Sequence, residues 1–248
     1  MKHSDLSKVP YPEAEKYFSY NDIVVLPVGS TEQHGKHNPL GTDYLIAYRL
    51  ALEAAKQTGV ATLPPVPFGV SSHHRHFLGT IYVSEESFRN YIKDICLSLK
   101  EHGVRKIIIV NGHGGNLASL LEVARKLKQQ GLLIVVFQWW NLRELSEYFK
   151  PEERGHAAAM ETSLIAFLYP DLVDLTKTCD EEPREVFKGL PVYYPGDTKE
   201  YTDSGVFGVS STASSERGKI VFEIAVKKLI EIIEVLKKIN VKDICSKA

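Results

Sequence analysis

The chain has 248 residues, 44% of them hydrophobic and 25% charged, which suits a soluble globular protein that buries a sizeable core. A formal net charge of −1 supplies no overall field to draw nucleic acid or an anionic membrane, so neither is expected as a partner. Three scattered cysteines (Cys96, Cys179, Cys245) are too few for a disulfide framework or a thiolate zinc site, and fit a reducing cytosol.

The first stretch, Met1 to Glu15, is polar, contains two prolines and does not read as a secretory signal. No apolar run reaches the roughly 20 residues of a membrane helix, and a cytoplasmic location is expected. Ile23-Val24-Val25-Leu26-Pro27-Val28 reads as a buried strand. A helix follows from near Asp43, with Thr42 as its N-cap, and Gly59 ends it. Val60 to Leu63 reads as a short strand before Pro64-Pro65-Val66-Pro67, and a loop rich in Gly, Ser and His runs from Phe68 to Ser84. Phe88, Ile92, Ile95 and Leu99 then recur at helical spacing between Glu85 and His102.

Lys106 to Val110 is another apolar strand, and Asn116 or Leu117 opens a helix that Gly131 stops. Leu132 to Phe137 reads as a strand, and a helix from about Ala158 to Leu168 halts at Tyr169-Pro170. Thr176 to Ser215 is loop-rich, and an amphipathic helix from Gly218 to Ile239 ends the fold. Strands alternating with helices predict an α/β fold with a mostly parallel central sheet covered on both faces, and one domain over 1–248.

Two segments that leave strand ends carry the chemistry: Glu32-Gln33-His34 with Asp43, and Asn111-Gly112-His113-Gly114-Gly115-Asn116. In open α/β sheets ligands bind at that carboxyl edge. In an extended chain Glu32 and His34 project to the same side, and an acid at Asp43 would be held by the amides of the helix start. Two imidazoles and two carboxylates suit Zn²⁺, Mn²⁺ or Fe²⁺ better than Ca²⁺. An Asp with two oxygens can bridge two ions, and two ions call for a further acid. The alternative for the glycine-flanked segment is a phosphate-cradling turn at a helix N-terminus. It lacks the Lys-Ser/Thr ending of the ATP-binding loop and the spacing of the dinucleotide fingerprint.

At these residues the sequence resembles the creatininase (creatinine amidohydrolase) family. The matching stretches are residues 26–35 with Asp43, Gly69-Val70-Ser71 through Phe77 to Thr80, and residues 111–116. Gly155-His156 through Glu161-Thr162-Ser163 and Gly205-Val206-Phe207-Gly208 complete the match. The resemblance implies a three-layer α/β/α domain and two divalent ions per chain. Glu32, Asp43 and His113 would hold one ion, and His34 with the bridging Asp43 the other. His156 matches a family histidine that shuttles a proton in amide hydrolysis. Members cleave non-peptide C–N bonds or unusual amides, and many are homo-oligomers, hexamers among them. A small amide or formamide is the implied substrate.

Two positions depart from creatinine-cleaving members, which carry acids where Gly115 and Gly155 stand. The glycine-rich version is similar to the branch with the archaeal formamide hydrolase of flavin and deazaflavin biosynthesis, which removes formate from a ribosylaminopyrimidine phosphate. The same branch holds the peptidase that trims the mycofactocin precursor. Leu78 replaces a usual proline and Ala159 a larger polar residue; neither change suggests a function.

The expected chemistry is attack on an amide carbonyl by water that a divalent metal has activated, with His156 protonating the leaving nitrogen. Glu161 either completes the metal shell or accepts a proton from that water; the plainer alternative is an acid bonded to helix-start amides. His74, Gly114, Gly115 and Trp140 are candidate substrate contacts, Trp140 by stacking on a planar ring or, equally, as core packing. His73, Arg75 and His76 read as solvated loop residues, with Arg75 also a candidate partner for a substrate phosphate. A metal- or phosphate-binding module without catalysis is the competing reading from another class.

Overall fold

The computed structural model describes residues 3–245 apart from 186, 188 and 193, so Met1 and Lys2 of the N-terminal stretch lie outside the described residues. Pro10 caps a helix that composition alone did not reveal, α1 (Tyr11–Phe18), with Pro12 in its first turn, where the missing N–H costs nothing. Next come β1 (Ile23–Val28), α2 (Thr42–Thr58), the two-residue β2 (Ala61–Thr62) and α3 (Glu85–Glu101). β3 (Lys106–Asn111), α4 (Leu117–Lys128), β4 (Leu133–Gln138) and α5 (Ala159–Leu168) follow. The loop-rich stretch contains a short α6 (Thr198–Tyr201), and α7 (Ser215–Lys238) and α8 (Val241–Cys245) are the last elements among the described residues. α7 starts ahead of Gly218 because the Ser214 hydroxyl accepts from the Arg217 amide and so supplies the cap.

The four strands form a parallel sheet in the order β2-β1-β3-β4. Side-chain alternation sorts its two faces. Ile23, Val25, Ile108, Val110 and Phe137 pack with α2, α5 and α7 in one core. Val24, Leu26, Val28, Ile107 and Ile109 pack with α1, α3 and α4 in the other. The chain is thus the expected three-layer α/β/α fold, and the central strands β1 and β3 are buried along their whole lengths, as parallel strands between helices must be.

The start of α2 lies against the end of β3. Thr42 does not cap it: Gly41 holds that position, and the Thr42 hydroxyl donates back to the Pro39 carbonyl at 2.7 Å. A Cβ on Gly112 would stand 2.2 Å from the Asp43 carbonyl oxygen, so only glycine lets the helix start approach this closely. Gly112→Ala is therefore expected to lower the thermal midpoint, by a loss of about 1–3 kcal/mol if the backbone shifts to make room. An unchanged melting curve would show that α2 is free to give way.

Candidate metal centre

The segment after β1 is fastened before it reaches the cluster. The Glu32 amide donates to the Leu40 carbonyl at 2.9 Å, and the Gln33 amide to the Thr80 hydroxyl at 3.2 Å. The turn after β3 is held by Asn111, whose amide group donates to the His113 carbonyl and whose oxygen accepts the His113 N–H. Asn116 ties this turn to two others, accepting from the Val70 amide and donating to the Gly29 carbonyl. These links bring the ends of β1 and β3 and the first turn of α2 to one point at the sheet's carboxyl edge.

Two donor sets share Asp43 there. Oxygen and nitrogen atoms of Glu32, Asp43 and His113 lie within 4.8 Å of one another, and so do those of His34, Asp43 and Glu161. His113 Nδ1 is 3.0 Å from Glu32 Oε2 and 3.3 Å from Asp43 Oδ2. His34 Nε2 is 2.9 Å from Asp43 Oδ1 and 3.5 Å from Glu161 Oε2. Glu32 and His34 are fully buried and Asp43 and His113 nearly so. The Asp43 carboxylate is not held by helix amides as the sequence suggested: its Oδ2 has no hydrogen-bond partner, and imidazoles are its neighbours.

The donor set fits divalent metal. His113 Nε2 lies 3.0 Å from the Val70 carbonyl and His34 Nδ1 3.1 Å from the Glu32 carbonyl. A ring nitrogen that donates to a carbonyl leaves the other nitrogen as a lone pair, the usual arrangement around a metal-bound imidazole. Those lone pairs face carboxylate oxygens, and both Glu32 oxygens, Asp43 Oδ2 and His34 Nε2 are buried without hydrogen-bond partners. A shell of buried acceptors requires positive charge at its centre.

Without metal the imidazoles supply that charge. Burial opposes the charged form of His34, but Asp43 and Glu161 outweigh it and hold its pKa well above the ordinary value. His113 is raised against burial in the same way by Glu32 and Asp43. Burial would raise the Glu32 carboxyl, yet His113 brings it down to about 2, and Asp43 and Glu161 are lowered against burial chiefly by His34.

The raised imidazoles therefore stabilise the metal-free fold fully below about pH 6.5 and less as pH climbs through their folded pKa values. The lowered carboxylates stabilise it above about pH 4 and lose that contribution on acidification. Chelator-treated protein is expected to be more stable to denaturant at about pH 5.5 than at about pH 8.5. Zn²⁺ should shrink that alkaline loss, because metal binds the deprotonated ligands. Equal or greater metal-free stability at the higher pH would contradict the arrangement.

The remaining predicted residues surround this core. His74 Nε2 is 3.3 Å from Glu32 Oε1, and its Nδ1 lies 3.0 Å from both the Gln33 side-chain nitrogen and the Thr198 hydroxyl. Burial, then His156, keep His74 well below the usual histidine range. His156 Nε2 is 2.9 Å from the Gln33 carbonyl, which leaves Nδ1 on the cluster side, 3.9 Å from Glu32 Oε1. Glu161 Oε2 also accepts the Ala157 amide at 2.8 Å, so the backbone-bonded reading holds alongside its place beside His34. Ala157 has a left-handed φ of 54°, strained for a residue with a Cβ, and His37 and Thr162 hold its carbonyl.

A pocket of about 250 Å³ opens over the cluster, lined by Asp43, His113, Gly114, Gly115, Trp140, His156 and Glu161 among others. Two glycines of its wall leave no room for a larger side chain. A Cβ on Gly115 would meet the Val70 carbonyl at 2.3 Å, and one on Gly155 the Phe207 carbonyl at 1.9 Å. His73 is not a solvated loop residue: it lines the pocket and stacks on His113 with ring centroids 5.6 Å apart. Arg75 and His76 are exposed, as expected of loop residues, but both meet the Asp197 carboxylate, Arg75 Nη2 at 2.6 Å and His76 Nε2 at 2.8 Å, and neither lines the pocket.

Sequence reading missed Gln33, whose side chain reaches His74, His156 and the Gly205 carbonyl at about 3 Å each. It also missed Thr198, Arg154 and Phe207. Gln33, between Glu32 and His34, and Phe207, inside the matching Gly205–Gly208 stretch, offered the signals that could have found them.

A family model described as "Creatininase: Creatinine amidohydrolase" matches residues 7–233. The chain is similar to the creatinine amidohydrolase of Pseudomonas putida, 29% identical over 233 residues that cover 85% of this chain and 88% of the relative. It is also similar to the mycofactocin precursor peptide peptidase of Mycolicibacterium smegmatis, 29% identical over 81% of this chain and 79% of the relative. A third relative is the 2-amino-5-formylamino-6-ribosylaminopyrimidin-4(3H)-one 5′-monophosphate deformylase of Methanothermus fervidus, 31% identical over 58% of this chain and 55% of the relative. Among solved structures, a crystal structure of creatinine amidohydrolase superposes with TM-score 0.86 at 27% identity, covering 97% of this chain and all of that one. Creatininases described as Mn and as Zn-Zn type superpose with TM-score 0.83, at 27% and 28% identity, over 93% and 94% of this chain and 97% and 98% of theirs.

Proposed function

The chain belongs to the creatininase family of amidohydrolases, and from that premise we propose that it is a formamide hydrolase acting on a ribosylaminopyrimidine phosphate. Its metal ligands would be Glu32, Asp43 and His113 for one divalent ion, and His34, Asp43 and Glu161 for a second. The observation that carries this reading is the pair of buried donor sets joined through Asp43, with His156 beside them. A divalent cation bound there would supply Lewis-acid chemistry, lowering the pKa of water and polarising the carbonyl.

The chain's own residues do the rest. His156, with Nε2 on the Gln33 carbonyl, offers Nδ1 to take a proton from the attacking water and return it to the leaving nitrogen. The C–O bond forms first, the C–N bond then breaks as the nitrogen takes that proton, and the free amine leaves with formic acid, which gives up its remaining proton to become formate. Gln33 and Thr198 fix the ring of His74, which keeps Glu32 oriented toward His113. Trp140 gives the pocket an aromatic side on which a flat ring could stack.

Gly115 and Gly155 favour the deformylase over creatinine hydrolysis, since their walls exclude the acids that creatinine-cleaving members carry. Anaerobic incubation with Fe²⁺, Mn²⁺ or Zn²⁺, against creatinine and a formamidopyrimidine nucleotide, tests this. Formate from the nucleotide and no turnover of creatinine is expected. Turnover of creatinine alone would overturn the substrate. Protein that binds metal but hydrolyses neither would leave a binding module.

A further inference from the structure

We propose that Arg154 anchors an anionic group of the substrate, and that this group is the phosphate of the nucleotide proposed above; the identity of the anion rests on that reading. Arg154 is the one Lys or Arg among the residues lining the pocket over the cluster. Its side chain is held to the wall by one bond, from Nη2 to the Trp140 carbonyl at 3.2 Å. Trp140 lines the same pocket, so the guanidinium stands on the wall that the substrate must pass.

Among the described residues Arg154 makes no ion pair, whereas three other arginines are committed to acids. Arg75 pairs with Asp197, Arg217 with Glu153 at 2.8 Å and Arg184 with Asp203 at 2.9 Å. Each of those is spent on holding the fold. Arg154 is half-buried, and beyond its bond to the Trp140 carbonyl its planar fork keeps donors free to receive a ligand. A half-buried guanidinium without an acid is poorly solvated, and an oxyanion carried by the substrate would satisfy it in bidentate fashion.

Its place in the chain fits a specificity role. Only Gly155 separates Arg154 from His156, so a substrate held by its anion at Arg154 presents its remainder beside the proton-shuttling ring. A neutral cyclic amide would leave the guanidinium without a partner, and the pocket would then select against it.

The test uses metal-loaded protein and inorganic phosphate as the probe, titrated calorimetrically into wild type, Arg154→Met and Arg154→Lys. Phosphate held by the metals alone would bind all three equally. We expect Arg154→Met to weaken binding about 10- to 100-fold, the effect of losing a charged hydrogen-bonded pair, with Arg154→Lys recovering part of it. Metal content and melting curves of each variant separate this from unfolding. In parallel, the kcat/KM ratio of the formamidopyrimidine nucleotide to its dephosphorylated nucleoside should fall by a similar factor in Arg154→Met. Equal phosphate affinity in wild type and Arg154→Met, or no binding by wild type, overturns the role of Arg154. Absence of formate from either substrate overturns the deformylase reading, and the phosphate titration still decides the anchor.

Discussion

Asp43→Ala is expected to lower kcat/KM at least about 10³-fold, since Lewis-acid chemistry at such a centre is worth several kcal/mol. Asp43 is the only carboxylate common to both donor sets, so its removal disables both at once. Elemental analysis should show divalent metal falling with activity. The fold should survive. Without Asp43 two carboxylates, Glu32 and Glu161, still face two imidazoles, His34 and His113, so the metal-free cluster keeps its charges paired. A variant with wild-type turnover, or one inactive with full metal content, would remove Asp43 from the role assigned to it.

His156→Gln should behave differently. Its ring touches Gln33 and approaches Glu32 only to 3.9 Å, so metal content should stay at the wild-type level. Losing a positioned proton carrier costs about 10²- to 10⁴-fold in kcat. The pH–rate profile should lose the limb that belongs to the imidazole. A parallel loss of metal would move His156 into the ligand set, which its proximity to Glu32 and His34 makes a real alternative outcome.

The three-layer fold was legible because parallel strands between helices must be apolar throughout, and Ile23–Val28 and Lys106–Val110 advertise that in sequence. The convergence of the candidate donors was legible for a related reason. These donors follow those strands at once or, as with Asp43 and Glu161, open the helices that pack on them. The hydrogen-bonded network around the donors was not. Gln33 meets His156 and Gly205 across 123 and 172 residues of chain, and Thr198 meets His74 across 124. No local periodicity records such contacts. Arg75 and Arg154 show the same limit with charge: one arginine is neutralised by Asp197 from a distant loop and the other is left open, and nothing beside either residue says which.

The Val70 carbonyl that fills the space above Gly115 ties two stretches of chain into a single unit of change. The same oxygen also receives His113, so neither partner can drift alone. A carboxylate introduced at position 115 would have to arrive with a rebuilt 68–83 loop. Installing an acid there therefore calls for transplanting paired segments, and a stepwise ladder of point substitutions should pass through broken intermediates.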